Sequence, residues 1–342
     1  MRALRTLAVS LCIAVPGAAL AQDDAAPFVC ATHPSPVVIL DHGSRYTTGS
    51  TSRSDFDAVS NADVNAQLKP VDSFISTLAA AANTAVLSDI DRAAALDCVM
   101  SGLTDWAKAD ALSDLGTLNA QLSAPSRVAG FSFVYAQVQP LLPLSADTAE
   151  VERWLARRAQ ATMDFFDEDA PPKASKNNLR AWAALAVARI GVTLQDQALM
   201  DWADASVRLV VCEAREDGSL PLEMARGDLA LHYQMHAVAP LVVTAALLQT
   251  QGHTLFVACN GSIRRTIGFV IAAFETPSLV EGLAGEPQTY FNGKEELKAF
   301  ELAWADAYLS LFHDPQLAAF VEPFGTLGNS KLGGKQALLW GG

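Results

Sequence analysis

Apolar residues recur every three or four positions along most of this chain, which is the spacing of one face of an α-helix. The pattern begins near residue 55, and short segments rich in Pro, Gly, Asp and Ser interrupt it as turns between helices do. Alternation typical of a β-strand is confined to a few residues, of which PVVIL at 36–40 is the longest example. We therefore predict helices over 56–87, 89–112, 127–142, 147–166, 178–190, 196–212, 226–251, 262–273 and 296–312.

These helices predict an all-α protein with a single domain over residues 22–342, because no linker or composition shift divides them. The high alanine content allows close approach of helices. An incomplete α/α barrel, or toroid, of antiparallel helical hairpins fits the pattern, and a solenoid or an irregular bundle would show the same periodicity.

The first 21 residues have the composition of a secretory signal peptide. Arg2 and Arg5 precede an apolar run that ends in small residues, and we place the cleavage after Ala21. The run is shorter than the roughly 20 residues that cross a bilayer, and no later segment is judged apolar enough to do so. We expect an exported protein, periplasmic or secreted, with no membrane span.

Four cysteines remain after this cleavage, and in an exported protein an even number favours disulfides over free thiols. They allow three pairings, and the residues alone do not choose among them. None lies in a CxxC motif or at ligand spacing from a histidine, which argues against a zinc site. We expect no metal and no organic cofactor. The four are Cys30, Cys98, Cys212 and Cys259.

The chain is acidic, with a formal net charge of −13, which disfavours nucleic acid and anionic membranes as partners. Gly-rich phosphate loops, a GxSxG motif and a Cys/His nucleophile pair are all missing, which argues against nucleotide binding and serine-type hydrolysis. A polyanionic substrate would need a local basic patch inside this acidic shell.

The segment 217–243, DGSLPLEMARGDLALHYQMHAVAPLVV, carries the most unusual polar pattern. Arg226 and Tyr233 are seven residues apart, so a continuous helix would bring a cation and a phenol to one face. The simpler interpretation is a half-buried tyrosine with Arg226 paired to a nearby carboxylate. His232 and His236 are one turn apart, but no third metal ligand is evident.

Several segments together resemble the alginate lyases of polysaccharide lyase family 5, which act on poly-mannuronate. Segment 217–243 keeps the family pattern of LPxE, an arginine, ALxY and AxxPL, and KNNLRAWAA at 176–184 keeps two asparagines and a tryptophan. FELAWADAYLSLF at 300–312, KLGG at 331–334 and, more weakly, SRY at 44–46 also match. The resemblance covers roughly residues 37–340 and implies an incomplete α/α barrel with a long cleft.

The resemblance implies β-elimination on a uronate chain. Tyr233 would be the base and the acid, Arg226 would favour the ionised phenol, and Asn178 would donate to the uronate carboxylate. It also implies a disulfide between Cys30 and Cys98. We expect four further residues to contact the substrate, namely Arg45, Arg180, Trp182 and Lys331.

The departures from the family pattern lie at the same site. Leu179 stands where the family has a histidine, Ala181 where it has a tyrosine, and Gly227 where it usually has a second arginine. Arg45 and Lys331 each exchange one cation type for the other. A lost donor of this kind typically lowers the rate about 10²–10³-fold.

Three functions are therefore weighed. The favoured one is an exported polyuronate lyase with an altered site, in which Arg180, His232 or His236 replaces the missing histidine. The second is a non-catalytic periplasmic protein that binds acidic polysaccharide. The third is a glycoside hydrolase that uses Glu223 and Asp228.

Overall fold

The structure is a computed structural model that describes residues 27–341. The predicted signal peptide at 1–21 lies outside the described residues. Four two-residue strands are present, at Ile39–Leu40 (β1), Asp114–Leu115 (β2), Gly328–Asn329 (β3) and Gly334–Lys335 (β4). The helices are Ala58–Leu87 (α1), Arg92–Lys108 (α2), Leu118–Val138 (α3), Ala149–Asp164 (α4), Asn178–Leu194 (α5), Gln197–Val211 (α6), Pro221–Met224 (α7), Ala230–Gln249 (α8), Ala258–Glu275 (α9), Ser278–Ala284 (α10), Ala305–Leu309 (α11), Pro315–Val321 (α12) and Gln336–Trp340 (α13).

The long helices form two rows. Helices α1, α3, α5 and α8 pack side by side in one row, and each pairs with the following long helix, α2, α4, α6 or α9, as an antiparallel hairpin. Helices α5 and α8 are buried along most of their length, whereas α4, α6 and α9 each expose one side, so the first row is the inner one. The predicted all-α class is confirmed, and paired rows of hairpins are the arrangement of an α/α toroid.

The predicted start of the helix over 127–142 was wrong. Helix α3 begins at Leu118 and runs through Pro125, where the sequence indicated a break. The Thr117 side chain caps it by accepting from the Ala120 backbone N–H, so the helix is already established before the proline. The burial of Pro125 in the fold offsets the backbone hydrogen bond that it removes.

The predicted helix over 296–312 is only partly present. A 3₁₀ turn at Ala299–Glu301 and the short helix α11 replace it. Leu302 and Trp304 between them are fully buried. Burial of the apolar segment thus decides its course more than helical periodicity does.

Both ends of the described chain pack against the inner row. Strand β1 pairs in parallel with β2, just before α3. The β3–β4 hairpin holds a 3₁₀ turn, Ser330–Leu332, against α1 and α3. Segments distant in sequence therefore meet at the inner helices, where the candidate chemistry lies.

Two disulfides anchor helices of the outer row. Cys30 pairs with Cys98 of α2, which confirms the pairing that the family resemblance implies. Cys212, at the end of α6, pairs with Cys259 at the start of α9, a pairing that the sequence left open.

Two helical stretches, Gly227–Gln249 and Leu255–Glu275, are long and apolar enough to cross a bilayer, contrary to the expectation from the sequence. In their most apolar windows, 83% and 56% of residues are buried inside the fold. Packing within the protein accounts for the apolar character of both.

Candidate active site

Arg226 and Tyr233 come together, though by a route that differs from the prediction. The helix predicted over 226–251 begins only at Ala230, and Arg226 lies in the turn after α7. Its guanidinium carbon lies 3.5 Å from the centroid of the Tyr233 ring, a stacked cation–π contact. The two residues are therefore neighbours, as the sequence predicts, but the predicted reason was wrong because they do not lie on one continuous helix.

A loop over residues 44–56 covers this pair. The Arg226 Nε donates to the Ser52 carbonyl at 2.7 Å, and one terminal nitrogen donates to the Arg53 carbonyl at 2.7 Å. The hydroxyls of Tyr46 and Tyr233 are hydrogen-bonded to each other. Tyr46 belongs to the SRY segment, and sequence reasoning assigned it no role beside Tyr233.

Tyr233 holds its proton in this arrangement. Burial raises the pKa of its phenol above the ordinary value, and the nearby Arg226 charge lowers it by less than burial raises it. Contact with the Tyr46 hydroxyl also raises the Tyr233 pKa. The expected ionisation by Arg226 is therefore outweighed while the loop covers the ring.

Basic side chains from three segments lie next to this pair. Arg127 of α3 donates to Asp72 of α1 at 2.8 Å, and the Lys331 ammonium lies 3.4 Å from the other oxygen of the same carboxylate. Burial and the Arg127 charge lower the pKa of Lys331 to about 8, while Asp72 opposes them. Arg45 contacts Asn61 at 3.4 Å. Two cations that share one carboxylate leave a net positive charge.

Sequence reasoning missed Arg127 and Asp72. Burial would raise the Asp72 pKa, but Arg127 and Lys331 outweigh it and hold that pKa below the ordinary value. The available signal was a single arginine in the otherwise uncharged helix α3, a position that a structural role explains equally well.

The asparagine pair divides into a cap and a buried anchor. The Asn177 side chain accepts from the Leu179 N–H at 3.0 Å and caps α5. Asn178 is fully buried, and it donates its backbone N–H at 2.8 Å and its side-chain amide at 2.9 Å to Glu223. Burial raises the pKa of Glu223 to about 7. Sequence reasoning had placed Asn178 against the substrate and Glu223 in a hydrolase, and it missed their pairing.

The predicted substrate contacts on α5 face opposite ways. Trp182 donates its indole N–H to the His236 carbonyl at 3.1 Å, so it faces α8. Arg180 points away from α8 and donates to Ser206, to the Phe166 carbonyl and to Asp167. Leu179 packs against a small apolar cluster that includes Phe166. The structure brings Trp182, but not Arg180, to Tyr233 and its neighbours.

The histidines of α8 differ in their partners. His232 Nδ1 lies 3.3 Å from the Glu295 carboxylate. The His236 ring lies against Trp182 and Tyr233. In the described part of the chain, Cys30, His33 and Cys98 form the one cluster with metal-ligand spacing, and both of those cysteines are in a disulfide.

A separate cavity of about 380 Å³ lies between α3, α4 and the π-helical turn Phe165–Asp169. Val128, Arg158 and Asp164 help to line it, and none of the residues described above as neighbours of Tyr233 does. The loop at 44–56 covers Tyr233 and its neighbours, so the candidate site is recognised by its charges and contacts and not by an open cavity.

Comparison with known proteins agrees with this arrangement. Residues 132–279 match the family described as Alginate lyase. An alginate lyase of Pseudomonas syringae pv. syringae is 30% identical over 223 residues, which cover 64% of this chain and 58% of that protein. An alginate lyase of Pseudomonas entomophila is 31% identical over 228 residues, with 65% and 61% coverage. The chain thus spans about three-fifths of the length of these relatives.

A solved structure extends the match to the whole fold. Alginate lyase A1-III from Sphingomonas species A1 superposes with a TM-score of 0.74 at 25% identity, over 92% of this chain and 88% of that one. Its α/α toroid matches the paired helical rows. The chain is therefore an α/α toroid protein with a basic site beside a stacked arginine and tyrosine. It is similar to the alginate lyases, whose family it matches over residues 132–279.

Proposed function

We propose that this protein is an exported polyuronate lyase that cleaves mannuronate-rich alginate by β-elimination. The observation that carries the proposal is Arg226 stacked on Tyr233, next to a partly buried basic cluster with excess positive charge. A histidine-to-alanine variant of A1-III has a structure complexed with a tetrasaccharide, which supports a sugar chain as the ligand of this fold.

In the proposed reaction, Tyr233 first gives up its phenolic proton to solvent when the chain displaces the covering loop, and the phenolate then removes the C5 proton of the uronate. The electron pair of that C–H bond forms the C4–C5 double bond, the C4–O4 bond breaks, and O4 takes the proton from the same tyrosine. The C5 proton becomes acidic enough only when the neighbouring carboxylate is neutralised. Lys331, Arg127 and Arg45 supply the positive charge that holds the chain. Arg226 stabilises the phenolate as it forms.

Export to the periplasm or beyond is part of this proposal, with residues 1–21 as the signal peptide and 22–342 as one lyase domain. The two disulfides support an oxidising compartment.

The activity is tested with purified mature protein and a panel of polyuronates rich in mannuronate, guluronate or glucuronate. We expect ultraviolet absorbance of the unsaturated product to rise, fastest with mannuronate-rich chains. Reducing ends without unsaturation would indicate hydrolysis instead. A flat trace on every polymer would refute the lyase proposal.

Leu179 and the raised pKa of Tyr233 favour a second candidate, a non-catalytic polyuronate-binding protein. This candidate predicts that alginate oligosaccharides bind equally well to wild type and to Tyr233→Phe, with no unsaturated product from either.

Binding of the polyuronate should weaken as the pH rises through the Lys331 pKa of about 8. Below that pH the ammonium is charged and attracts the polyanion, and above it the attraction is lost. We expect about a tenfold loss of affinity between roughly pH 7 and pH 9.5 at low salt. Lys331→Arg should flatten this dependence because a guanidinium stays charged.

The matched control is Lys335→Arg, which alters an exposed lysine on β4 and should keep the wild-type slope. An unchanged slope in Lys331→Arg would show that Lys331 does not hold the substrate. Titration calorimetry on the slowly reacting Tyr233→Phe background measures the affinities without turnover.

A further inference from the structure

The imidazole of His236 lies beside Tyr233, and the mechanism proposed above assigns it no role. It projects from α8 three residues after Tyr233, with ring centroids 6.2 Å apart and planes at 81°. The Trp182 ring lies 5.2 Å from it on the α5 side, and the indole N–H is bound to the His236 carbonyl. Among the described residues, no hydrogen bond reaches either ring nitrogen. A partly buried imidazole has a donor and an acceptor to satisfy, and both nitrogens are available to a ligand.

The charges around His236 favour its neutral form. Burial lowers its pKa well below the ordinary value, and four neighbours lower it further. These are His232 on α8, Lys331 in the 3₁₀ turn after β3, Arg226 after α7, and Arg127 on α3. Trp182 on α5 is uncharged, and Tyr233 keeps its proton. His236 is therefore a neutral imidazole surrounded by cations.

A carboxylate is the ligand that this environment selects. It would be attracted by the three cations, and it would accept a hydrogen bond from the imidazole N–H. Its negative charge would offset the cations and raise the imidazole pKa, so the hydrogen bond would become charge-assisted and stronger. A neutral ligand would neither be attracted by the cations nor raise the imidazole pKa.

We propose that His236 donates a hydrogen bond to the uronate carboxylate at the point of cleavage, and that the imidazole takes up a proton from solvent when the sugar binds. The proposal rests on the lyase function above. Leu179 packs against the apolar cluster that includes Phe166, whereas Trp182 packs on His236. The donor that Leu179 lacks is then supplied from the neighbouring helix α8. His232 is a poorer candidate because it faces Glu295.

Kinetics on two forms of the substrate test this role. We expect His236→Ala to lower kcat/KM on polymannuronate about 100-fold, mostly in kcat, because a carboxylate contact strengthens as charge develops. His236→Gln retains an N–H donor and should recover about tenfold. On methyl-esterified polymannuronate, whose ester is already neutral, wild type and His236→Ala should differ by less than about threefold.

The matched control is His313→Ala, an exposed histidine before α12, which should keep the wild-type rate. A wild-type rate in His236→Ala would overturn the proposal. So would an equal loss on the free acid and on the methyl ester, since this would indicate a structural role.

A second measurement does not require turnover. The imidazole pKa of His236 is followed by NMR in Tyr233→Phe, with and without a mannuronate tetrasaccharide, and assigned by comparison with His236→Ala in the same background. We expect a rise of more than about one unit on binding. An unshifted pKa at millimolar tetrasaccharide would overturn the proposal, even if wild type is active. A shifted pKa with no product from wild type would instead refute the lyase function alone.

Discussion

Tyr233→Phe should reduce formation of the unsaturated product about 10³–10⁴-fold and leave oligosaccharide affinity within about threefold of wild type. The variant deletes one oxygen, and the Arg226 guanidinium can still stack on the phenyl ring. The proposed reaction loses both its base and its acid in this one atom, so the effect falls on kcat and not on KM. Initial rates and calorimetric titration of the same preparations separate the two.

Two control tyrosines make that result specific. Tyr46→Phe removes the hydroxyl that contacts Tyr233, and we expect a change of no more than about tenfold because the covering loop keeps its bonds to Arg226. Tyr308→Phe removes a hydroxyl in the core next to Phe256 and Phe312, and it should keep the wild-type rate. If Tyr233→Phe retained more than a tenth of the activity, another group would be the base.

The raised pKa of Tyr233 and the covering loop describe one state of the site. With Tyr46 against the phenol and Arg226 held by two loop carbonyls, the tyrosine is protonated and shielded. A uronate chain that enters between the loop and Lys331 must displace some of these contacts. The net charge of −13 repels a polyanion at long range. The basic cluster attracts the same polyanion at short range, where it outweighs the acidic surface around it.

The all-α class could be predicted from the sequence because a helix that buries one face has apolar residues at every third or fourth position. Helices α1, α2, α5 and α6 begin and end close to their predicted limits. Pro125 misled the prediction because a proline can be accommodated once a helix is capped upstream. Arg226 was paired correctly with Tyr233, although the segment between them is not one helix.

The site residues could be predicted to be neighbours only where they lie close together in the sequence. The pairs Arg127–Asp72 and Asn178–Glu223 join segments 55 and 45 residues apart. Such contacts depend on how the inner helices pack against each other. The hydrophobic pattern of the sequence does not show which polar residues will face each other in that packing. The role expected for Arg180 failed for the same reason, since its neighbours come from α6 and from the π-helical turn after α4.

Arg180→Ala should destabilise the fold by about 3 kcal/mol without weakening sugar binding. The Arg180 side chain is 6% exposed, and it donates at 2.8–2.9 Å to Asp167, Ser206 and the Phe166 carbonyl. Its guanidinium also stacks on Trp202 at 4.6 Å. These bonds hold the π-helical turn at the end of α4 against α5 and α6. Removing the arginine leaves buried acceptors without a donor.

Urea unfolding measures that loss, and Arg153→Ala is the matched control. Arg153 pairs with Glu150 on the exposed side of α4, where an ion pair contributes less than about 1 kcal/mol. We expect the control to unfold within about 0.5 kcal/mol of wild type. If Arg180→Ala kept its stability and lost affinity for oligomannuronate, the arginine would be a substrate contact after all. Loss of stability with affinity intact would assign it to the scaffold, and would leave His236 as the side chain that compensates for Leu179.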